Sequence, residues 1–310
     1  MSYVPGSVAV SSYFPDKYHG VVFGICSSGV GFGMLSAPVI VDLLTEQYSW
    51  RGAMIIQAGL NFHLVACGAI LYPLPGANKE SNYHEIGLLK NVHFSNFLLH
   101  IGLFAVGMSV INVHFAFAVQ KSAHLSTREA ALAVSVIGLT GTAGRLIHGL
   151  LAKAPKVNAM AQYSGSFFLF GVATLLLPHP RSYLMVLLLA ACIGFLQGPY
   201  GGVVTVLMIY MVGVESATAG FGYLHLAVGV GLVAGAPIAG YLYDLSHGSY
   251  DASMYFGGGA IILSVLIMVR VLLRWNTIIV DARIDEGRAH GTGKFVYDCQ
   301  NLYETSSSFG

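Results

Sequence analysis

Long apolar runs separated by short polar connections occupy the chain from residue 18 to residue 273. Most runs reach about 20 residues or more, the length that an α-helix needs to cross about 30 Å of hydrocarbon. Because the runs are continuous and do not alternate, they predict membrane-spanning helices and not the strands of a barrel. Eight full spans are predicted: Tyr18–Leu44, Gly52–Tyr72, His93–Val119, Arg128–Leu151, Ala159–Leu177, Tyr183–Met211, Ser216–Tyr243 and Ser253–Leu273.

The segments outside these spans predict how the chain is divided. Met1–Phe14 is apolar but too short to span, and it is typical of the last half of a helix whose start is absent. Pro73–Asn91 is the longest internal polar segment, and we interpret it as a link between two helical bundles. The predicted domains are the remainder of an N-terminal bundle (1–72), the central link (73–92), a six-helix bundle (93–273) and a tail that is disordered or begins as a helix (274–310).

Composition and charge agree with a lipid environment and predict an orientation. Hydrophobic residues make up 55% of the chain and charged residues 9%, against roughly 25% charged in soluble domains. Positive residues are enriched on the cytoplasmic side of membrane proteins, so the side with more lysines and arginines is predicted to be cytoplasmic. Nine lie on the side of the link and tail: Lys17, Lys79, Lys90, Lys153, Lys156, Arg274, Arg283, Arg288 and Lys294. Four lie opposite: Arg51, Lys121, Arg128 and Arg181. The net charge of +1 indicates no nucleic-acid partner.

Small residues inside the spans predict close helix packing and little chemistry. Glycines four residues apart let two backbones approach, and such pairs occur at Gly20 and Gly24, Gly29 and Gly33, and Gly231 and Gly235. The three cysteines within apolar runs are predicted to be small buried residues: Cys26, Cys67 and Cys192. No phosphate-binding loop, nucleophile elbow or zinc-protease helix is present, so we expect no enzyme activity, cofactor or metal.

Arg145 is a full charge within the apolar segment Ala133–Lys153. A charge there is costly, about 2.5–3.5 kcal/mol at a helix centre, and usually faces a cavity or a partner. Its guanidinium could hold a carboxylate through two parallel hydrogen bonds. Alternatively it could snorkel, because Lys153 lies eight residues further on, about 12 Å along the helix. The usual role of intramembrane charges favours the first interpretation.

Two further features of the spans could bear on function. Pro199, between Gly198 and Gly201, predicts a local break in its helix, which either exposes backbone groups to a ligand or only serves packing. Histidine can carry protons near neutral pH, but in a membrane it more often bonds to another helix as a neutral group. Five histidines lie within spans: His63, His100, His114, His148 and His225.

Several stretches, taken in order, resemble one known family. They are Ser12-Tyr13-Phe14 with Lys17 and GVVFGICSSGVGFG at 20–33, YSWRGA at 48–53, GFLQGPYGG at 194–202, PIAGYLYD at 237–244 and GSYDAS at 248–253. Together they resemble the monocarboxylate transporters of the major facilitator superfamily. The resemblance implies an all-α polytopic membrane protein of that fold, in which two six-helix bundles alternate access to a midplane site. It also implies an N-terminally truncated chain that lacks three and a half helices of the family.

The resemblance assigns roles to individual residues. Arg145 falls where the family has a substrate-binding arginine. Asn112 and His114 lie on the helix that corresponds to the seventh, and Gln197 and Tyr200 on the tenth, both of which line the family's cavity. Proton-linked members carry an aspartate four residues before the arginine, where this chain has Gly141. They also use a lysine on a first helix that this chain does not contain.

The expected function is secondary transport of a small monocarboxylate or a related amphipathic solute. The resemblance implies a multi-pass symporter of the plasma membrane, surrounded by the lipid bilayer, and raises a single-span glycoprotein chaperone as a partner. Loss of the aspartate favours, weakly, carriers of other solutes over lactate–proton symport. The alternative is a truncated, non-transporting membrane protein, or the product of an incomplete gene model, that acts as a scaffold or partner subunit.

Overall fold

The computed structural model describes residues 13, 16–69, 85–152, 157–213 and 216–273. In these residues the chain forms eight α-helices, one short 3₁₀-helix at Glu85–Lys90 and no strand. The helices are α1 (Asp16–Ala69), α2 (Val92–Ser122), α3 (Thr127–Leu151), α4 (Ala159–Leu175), α5 (Tyr183–Leu196), α6 (Pro199–Val212), α7 (Ala217–Leu245) and α8 (Asp251–Leu273). The predicted half span, most of the central link and the tail lie outside the described residues.

The predicted all-α polytopic architecture is confirmed. Six stretches of the described chain are long and apolar enough to cross a membrane: Ile40–Ala69, Val92–Ser122, Thr127–Leu151, Tyr183–Val212, Ala217–Leu245 and Asp251–Val269. Val21–Ala37 is a shorter apolar helical stretch, and α4 has 17 residues. Each of the eight predicted spans therefore corresponds to helix, although two of these helices are shorter than expected.

The two predicted N-terminal spans are separated within residues 46–51, the polar connection that the sequence predicts between them. Asp16–Ala69 consists of two helices that meet at a kink, where Ser49 has non-helical backbone angles (φ 60° and ψ 171°). Trp50 is exposed beside the kink, with the guanidinium of Arg51 5.2 Å from the ring centroid. The label α1 is kept for both helices.

Side-chain caps explain where several helices begin. Asn91 accepts hydrogen bonds from the backbone amides of His93 and Phe94 at the start of α2. Ser126 and Glu129 form a reciprocal capping box at the start of α3. Such caps satisfy amides that have no partner within the helix. The connections between helices can therefore stay short.

Glycines set the closest contacts between helices, and not always the glycines that spacing suggested. Gly231 and Gly235 of α7 lie against the backbone of α2, as predicted. Gly29 and Gly33 have no atom of another element within 4 Å of where a Cβ would lie. Gly31 faces α3 instead, so that part of the prediction was wrong. Because α1 is apolar on every side, spacing alone could not tell which glycine faces its neighbour.

The prediction that the three cysteines within spans are buried was also wrong. Cys26, Cys67 and Cys192 are free thiols, and all three are exposed on the outside of the helices. A thiol behaves as a small hydrophobic group, so a face that meets lipid accepts it as readily as a protein core does. Their position inside apolar runs therefore indicated an apolar environment but not which one.

Helix α3 is at the centre of the arrangement that matters for the site. It packs against α1 on one side and against α5 and α6 on another, while α2 packs against α7 and α8. A core of fully buried aromatic side chains lies between α2 and α4: Phe94, Phe97, Phe104, Tyr163, Phe167 and Phe170. Arg145 and His148 of α3 are buried by the helices around it.

Candidate functional site

A cavity of about 190 Å³ lies where α1, α2, α3, α6 and α7 meet. Its walls combine polar and apolar side chains, among them Ser27, Met108, Arg145, Tyr200, Thr205 and Phe221. Arg145 is only 3% exposed, so its charge is enclosed by protein. The sequence prediction that this charge faces a cavity is therefore matched by the geometry.

Close backbone contacts fix the position of Arg145. A Cβ at Gly24 of α1 would lie 2.9 Å from the carbonyl oxygen of Arg145, and a Cβ at Gly201 of α6 would lie 3.2 Å from its Cγ. Ser27 fills the remaining space in front of Gly201. Glycine at these two positions allows α1 and α6 to approach α3, so the arginine side chain is held between them.

The guanidinium of Arg145 lies over Gly141, one turn towards the N-terminus of α3. A Cβ at Gly141 would be 2.9 Å from Arg145 Nη1 and 3.6 Å from Gln197 Nε2. Helical side chains lean in this direction. It is opposite to the direction of Lys153, towards which snorkelling would extend the side chain. The charge and the Gln197 amide therefore both lie beside Gly141, near the middle of α3.

Gln197 and Asn112 belong to a second, smaller cavity of about 50 Å³. Gln197 is 3% exposed, whereas Asn112 is exposed on α2. Met108 lines both this cavity and the one that contains Arg145. Four of the five predicted site residues are therefore grouped around adjoining spaces: Asn112, Arg145, Gln197 and Tyr200.

His114 is placed differently from the other four predicted residues. Its Nε2 lies 3.3 Å from the carbonyl oxygen of Ala236 on α7, and its ring centroid is 5.7 Å from that of Tyr250. His100 and His148 also bond to another helix, with His100 Nε2 2.8 Å from the hydroxyl of Tyr163. These contacts correspond to the helix-bridging role that is common for histidines in membranes.

The break predicted at Pro199 is present. Helix α5 ends at Leu196 and α6 begins at Pro199, so one membrane-length stretch is built from two helices. The amide of Gly198 donates to Phe195 and the amide of Tyr200 to Gln197, so much of the backbone at the break is already hydrogen-bonded. A Cβ at Gly198 would lie 2.8 Å from the backbone nitrogen of Arg145. The break therefore serves close packing against α3, and it also turns Gln197 and Tyr200 towards the two cavities.

Three polar residues of the Arg145 cavity were not predicted as site residues: Ser27, Thr205 and His225. Ser27 and Thr205 are 3% and 1% exposed, and Ser27 donates a hydrogen bond to the Gly24 carbonyl at 3.1 Å. His225 Nδ1 lies 2.8 Å from the Phe221 carbonyl of its own helix. A small hydroxyl residue in an apolar run is a weak signal, because most such residues bond to their own helix.

Within the described residues, no group of three or more histidine, cysteine or acidic side chains is arranged to hold a metal ion. The polar groups of the cavity are one guanidinium, hydroxyls, an imidazole and, beside it, an amide. Most of these groups donate hydrogen bonds. Such a set suits the recognition of an anion.

These helices and their enclosed, arginine-containing cavity define a multi-pass membrane protein of the all-α class. The model of the family described as Major Facilitator Superfamily matches residues 1–223. The match covers more than two thirds of the chain, which therefore belongs to that superfamily.

Curated relatives confirm the similarity to monocarboxylate transporters. Monocarboxylate transporter 12 of Mus musculus is 26% identical over 320 residues, covering 88% of this chain and 64% of the relative. Monocarboxylate transporter 13 of Rattus norvegicus is 28% identical over 265 residues, covering 83% and 60%. Monocarboxylate transporter 9 of Gallus gallus is 23% identical over 368 residues, covering 87% and 71%. The chain thus spans less than two thirds of the length of the first two of these relatives.

Proposed function

We propose that this chain is a secondary transporter of small monocarboxylates or related organic solutes, and that Arg145 binds their carboxylate. The observation that carries the proposal is the buried guanidinium, which borders a cavity walled by several helices. A guanidinium can bind a carboxylate through two parallel, charge-assisted hydrogen bonds. A substrate carboxylate in the cavity would form such bonds during transport.

The rest of the cavity suits the other parts of such a substrate. Ser27, Tyr200 and Thr205 provide hydroxyl groups, which can bond a hydroxyl or keto oxygen. Phe221 and Leu224 provide an apolar wall for a short carbon chain. A site with few polar groups on an apolar background is typical of small-molecule recognition. We propose a substrate with one carboxylate and a small, mainly apolar body.

The position of α1 supports transport by alternating access. Helix α1 contributes Ser27 and Val30 to the cavity, while α2, α3, α6 and α7 contribute the other walls. Movement of α1 relative to these helices would open or close the space around Arg145. In the proposed orientation the central link and tail are cytoplasmic, and the membrane is the plasma membrane. A single-span glycoprotein partner is a further proposal, which rests on the resemblance.

Gly141 bears on whether transport is coupled to protons. An aspartate at this position would meet Arg145, because Arg145 Nη1 lies 2.9 Å from the place of its Cβ. A carboxylate there could hold the guanidinium until it is protonated. With glycine, position 141 offers no carboxylate that competes with substrate for the guanidinium and must first be protonated. We therefore propose that transport does not depend on proton exchange at position 141.

Gly141→Asp should convert the carrier into one that is activated by acid. At neutral and alkaline pH the new carboxylate would pair with Arg145 and compete with substrate, so uptake should fall about tenfold or more. Lowering the pH protonates the carboxylate and should restore part of the uptake. Initial rates in proteoliposomes between pH 5.5 and 8 measure the effect. Gly141→Asn is the matched control, which should reduce uptake without the same pH dependence; equal pH profiles for both variants would contradict the proposal.

A substrate panel tests the proposed function itself. The purified chain in liposomes is offered labelled carboxylates of increasing size and their neutral amide analogues at several pH values. We expect saturable uptake of at least one small carboxylate and none of its amide. Uptake of no carboxylate above that of empty liposomes would count against a carrier.

A second candidate function is that of a non-transporting membrane subunit. The observation in its favour is the segment Ile40–Ala69, of which little is buried by the rest of the described chain. Its large apolar side chains are outward-facing, for example Ile55 at 74% and Phe62 at 73% exposure. Such a surface could meet lipid or a partner helix. The same uptake panel separates the two functions, because a subunit of this kind transports no substrate.

A further inference from the structure

A third cavity, of about 480 Å³, shares none of the residues that line the Arg145 cavity. It is formed by the end of α2, the connection between α4 and α5, and the connection between α7 and α8. Its charged and titratable side chains are Lys121, His179, Arg181, His247, Tyr250 and Asp251. In the proposed orientation Lys121 and Arg181 lie on the side opposite the cytoplasm, so the cavity opens at the outer face.

Lys121 is held in place by the turn that follows α7. Its ammonium donates hydrogen bonds to the hydroxyl of Tyr243, at 3.1 Å, and to the carbonyl of Gly248. It also lies 4.9 Å from the ring centroid of Tyr243 and 6.0 Å from that of Tyr250. An ammonium group has three donors, so these two bonds leave one for a ligand. The positive charge is thus oriented before any ligand arrives.

The turn that positions these groups depends on two unusual backbone conformations. His247 and Gly248 have φ values of 53° and 83°, in the left-handed region. The amide of Gly248 donates to the carbonyl of Tyr243, which closes the end of α7. The chain then reverses, so that the ring of Tyr250 packs against that of Tyr243, with centroids 4.3 Å apart and planes tilted by 31°. Burial raises the pKa of Tyr250 and Tyr243 adds to the rise, although Lys121 opposes it.

The charges of the cavity favour an anion with an apolar part. Lys121 and Arg181 carry permanent positive charges and Asp251 carries one negative charge, so the permanent balance is positive. His179 and His247 add ring nitrogens that can donate hydrogen bonds. Pro178, Pro180 and the ring of Tyr250 supply apolar surface on the same walls.

We propose that this cavity is a second, outer binding site for small organic carboxylates, with Lys121 and Arg181 as the groups that bind the anion. This site binds small carboxylates at the outer face before they reach Arg145. A cleft whose charges sum to a net positive charge raises the local concentration of anions. Binding at this site does not require the transport that is proposed for the Arg145 cavity, so the two can fail separately.

Protection of an introduced cysteine tests the site directly. Ser249 lines the cavity and is partly exposed. Ser249→Cys is made in a chain whose native cysteines are replaced by alanine, reconstituted in phosphatidylcholine liposomes and labelled with a membrane-impermeant maleimide. Benzoate is the probe and benzamide its neutral analogue. We expect benzoate to slow labelling at least about threefold and benzamide to have no effect.

Variants distinguish this site from the central one. Lys121→Gln should raise the benzoate concentration for half-protection about tenfold, the loss expected for one charge-assisted hydrogen bond. Arg181→Gln should do the same, and because Arg181 is exposed this variant should fold normally. Arg128→Gln, an exposed arginine that does not line the cavity, and Arg145→Gln should both leave protection unchanged.

Three results would overturn the proposal. The first is equal protection by benzamide, which would indicate apolar binding without recognition of charge. The second is protection that is lost in Arg145→Gln but kept in both Lys121→Gln and Arg181→Gln. The third is labelling that is slowed by phosphatidylglycerol in the liposomes and not by benzoate. That result would assign the site to a lipid headgroup.

Discussion

Arg145→Gln should reduce carboxylate uptake at least about thirtyfold while the protein still folds. Truncating one partner of a buried, hydrogen-bonded charge pair costs about 2–5 kcal/mol, which corresponds to roughly 30-fold to several-thousand-fold. Glutamine keeps much of the length and polarity of the side chain but removes the charge and the two-pronged donor geometry. Arg145→Lys keeps the charge and loses that geometry, so its uptake should lie between those of the wild type and Arg145→Gln.

Arg128→Gln is the matched control for the loss of a positive charge on the same helix. Arg128 lies at the exposed start of α3 and borders none of the cavities described around Arg145. Its replacement should leave uptake within about twofold of the wild type, because exposed side chains contribute little. Initial rates are compared at equal amounts of monodisperse protein in the liposomes. Normal uptake by Arg145→Gln would remove this residue from the mechanism.

Gly144→Ala should destabilise the protein and inactivate the site together. A Cβ at Gly144 would lie 2.5 Å from the carbonyl oxygen of Phe195 and 3.0 Å from its Cα, both of them backbone atoms of α5. Backbone atoms cannot rotate away as a side chain can, so one helix must shift. The added methyl group should therefore lower the free energy of unfolding by about 1–3 kcal/mol. The apparent melting temperature of the purified protein should fall by several degrees. Because Arg145 is the next residue, its side chain should be displaced from the Arg145 cavity as well.

The control for Gly144→Ala is the same substitution where there is room. Gly165 in α4 and Gly222 in α7 have no atom of another element within 4 Å of where a Cβ would lie. In an unobstructed helix, alanine is more stable than glycine by roughly 0.5–1 kcal/mol. These two variants should therefore raise the melting temperature slightly and preserve uptake. A Gly144→Ala protein with wild-type stability would contradict the close packing of α3 and α5.

The sequence predicted the helices well because each is a long apolar run of the length that crosses a membrane. Arg128–Leu151 was predicted from such a run and Thr127–Leu151 is observed, with Ser126 and Glu129 forming the capping box that begins the helix. The break near Pro199 was predicted because proline cannot continue the backbone hydrogen bonds of a helix. The polar connection predicted at residues 46–51 corresponds to the kink at Ser49, where α1 divides into two helices.

The facing of each helix could not be predicted in the same way. In a soluble helix, apolar residues that recur every three to four positions mark the buried side, but a membrane helix is apolar all round. The sequence therefore did not separate Gly31, which faces α3, from Gly29 and Gly33, which do not. Ser27 and His225 were missed as cavity residues for the same reason. Arg145 was found because a charge inside an apolar span is costly and therefore stands out in the sequence.

The most direct test of a carboxylate carrier centred on Arg145 is counterflow. Liposomes containing the purified chain are loaded with a high concentration of an unlabelled carboxylate from the panel and diluted into a trace of the labelled form. Alternating access predicts a transient accumulation of label above equilibrium in the wild type and in Arg128→Gln, and none in Arg145→Gln. The absence of accumulation in the wild type, or equal accumulation in wild type and Arg145→Gln, would contradict the account.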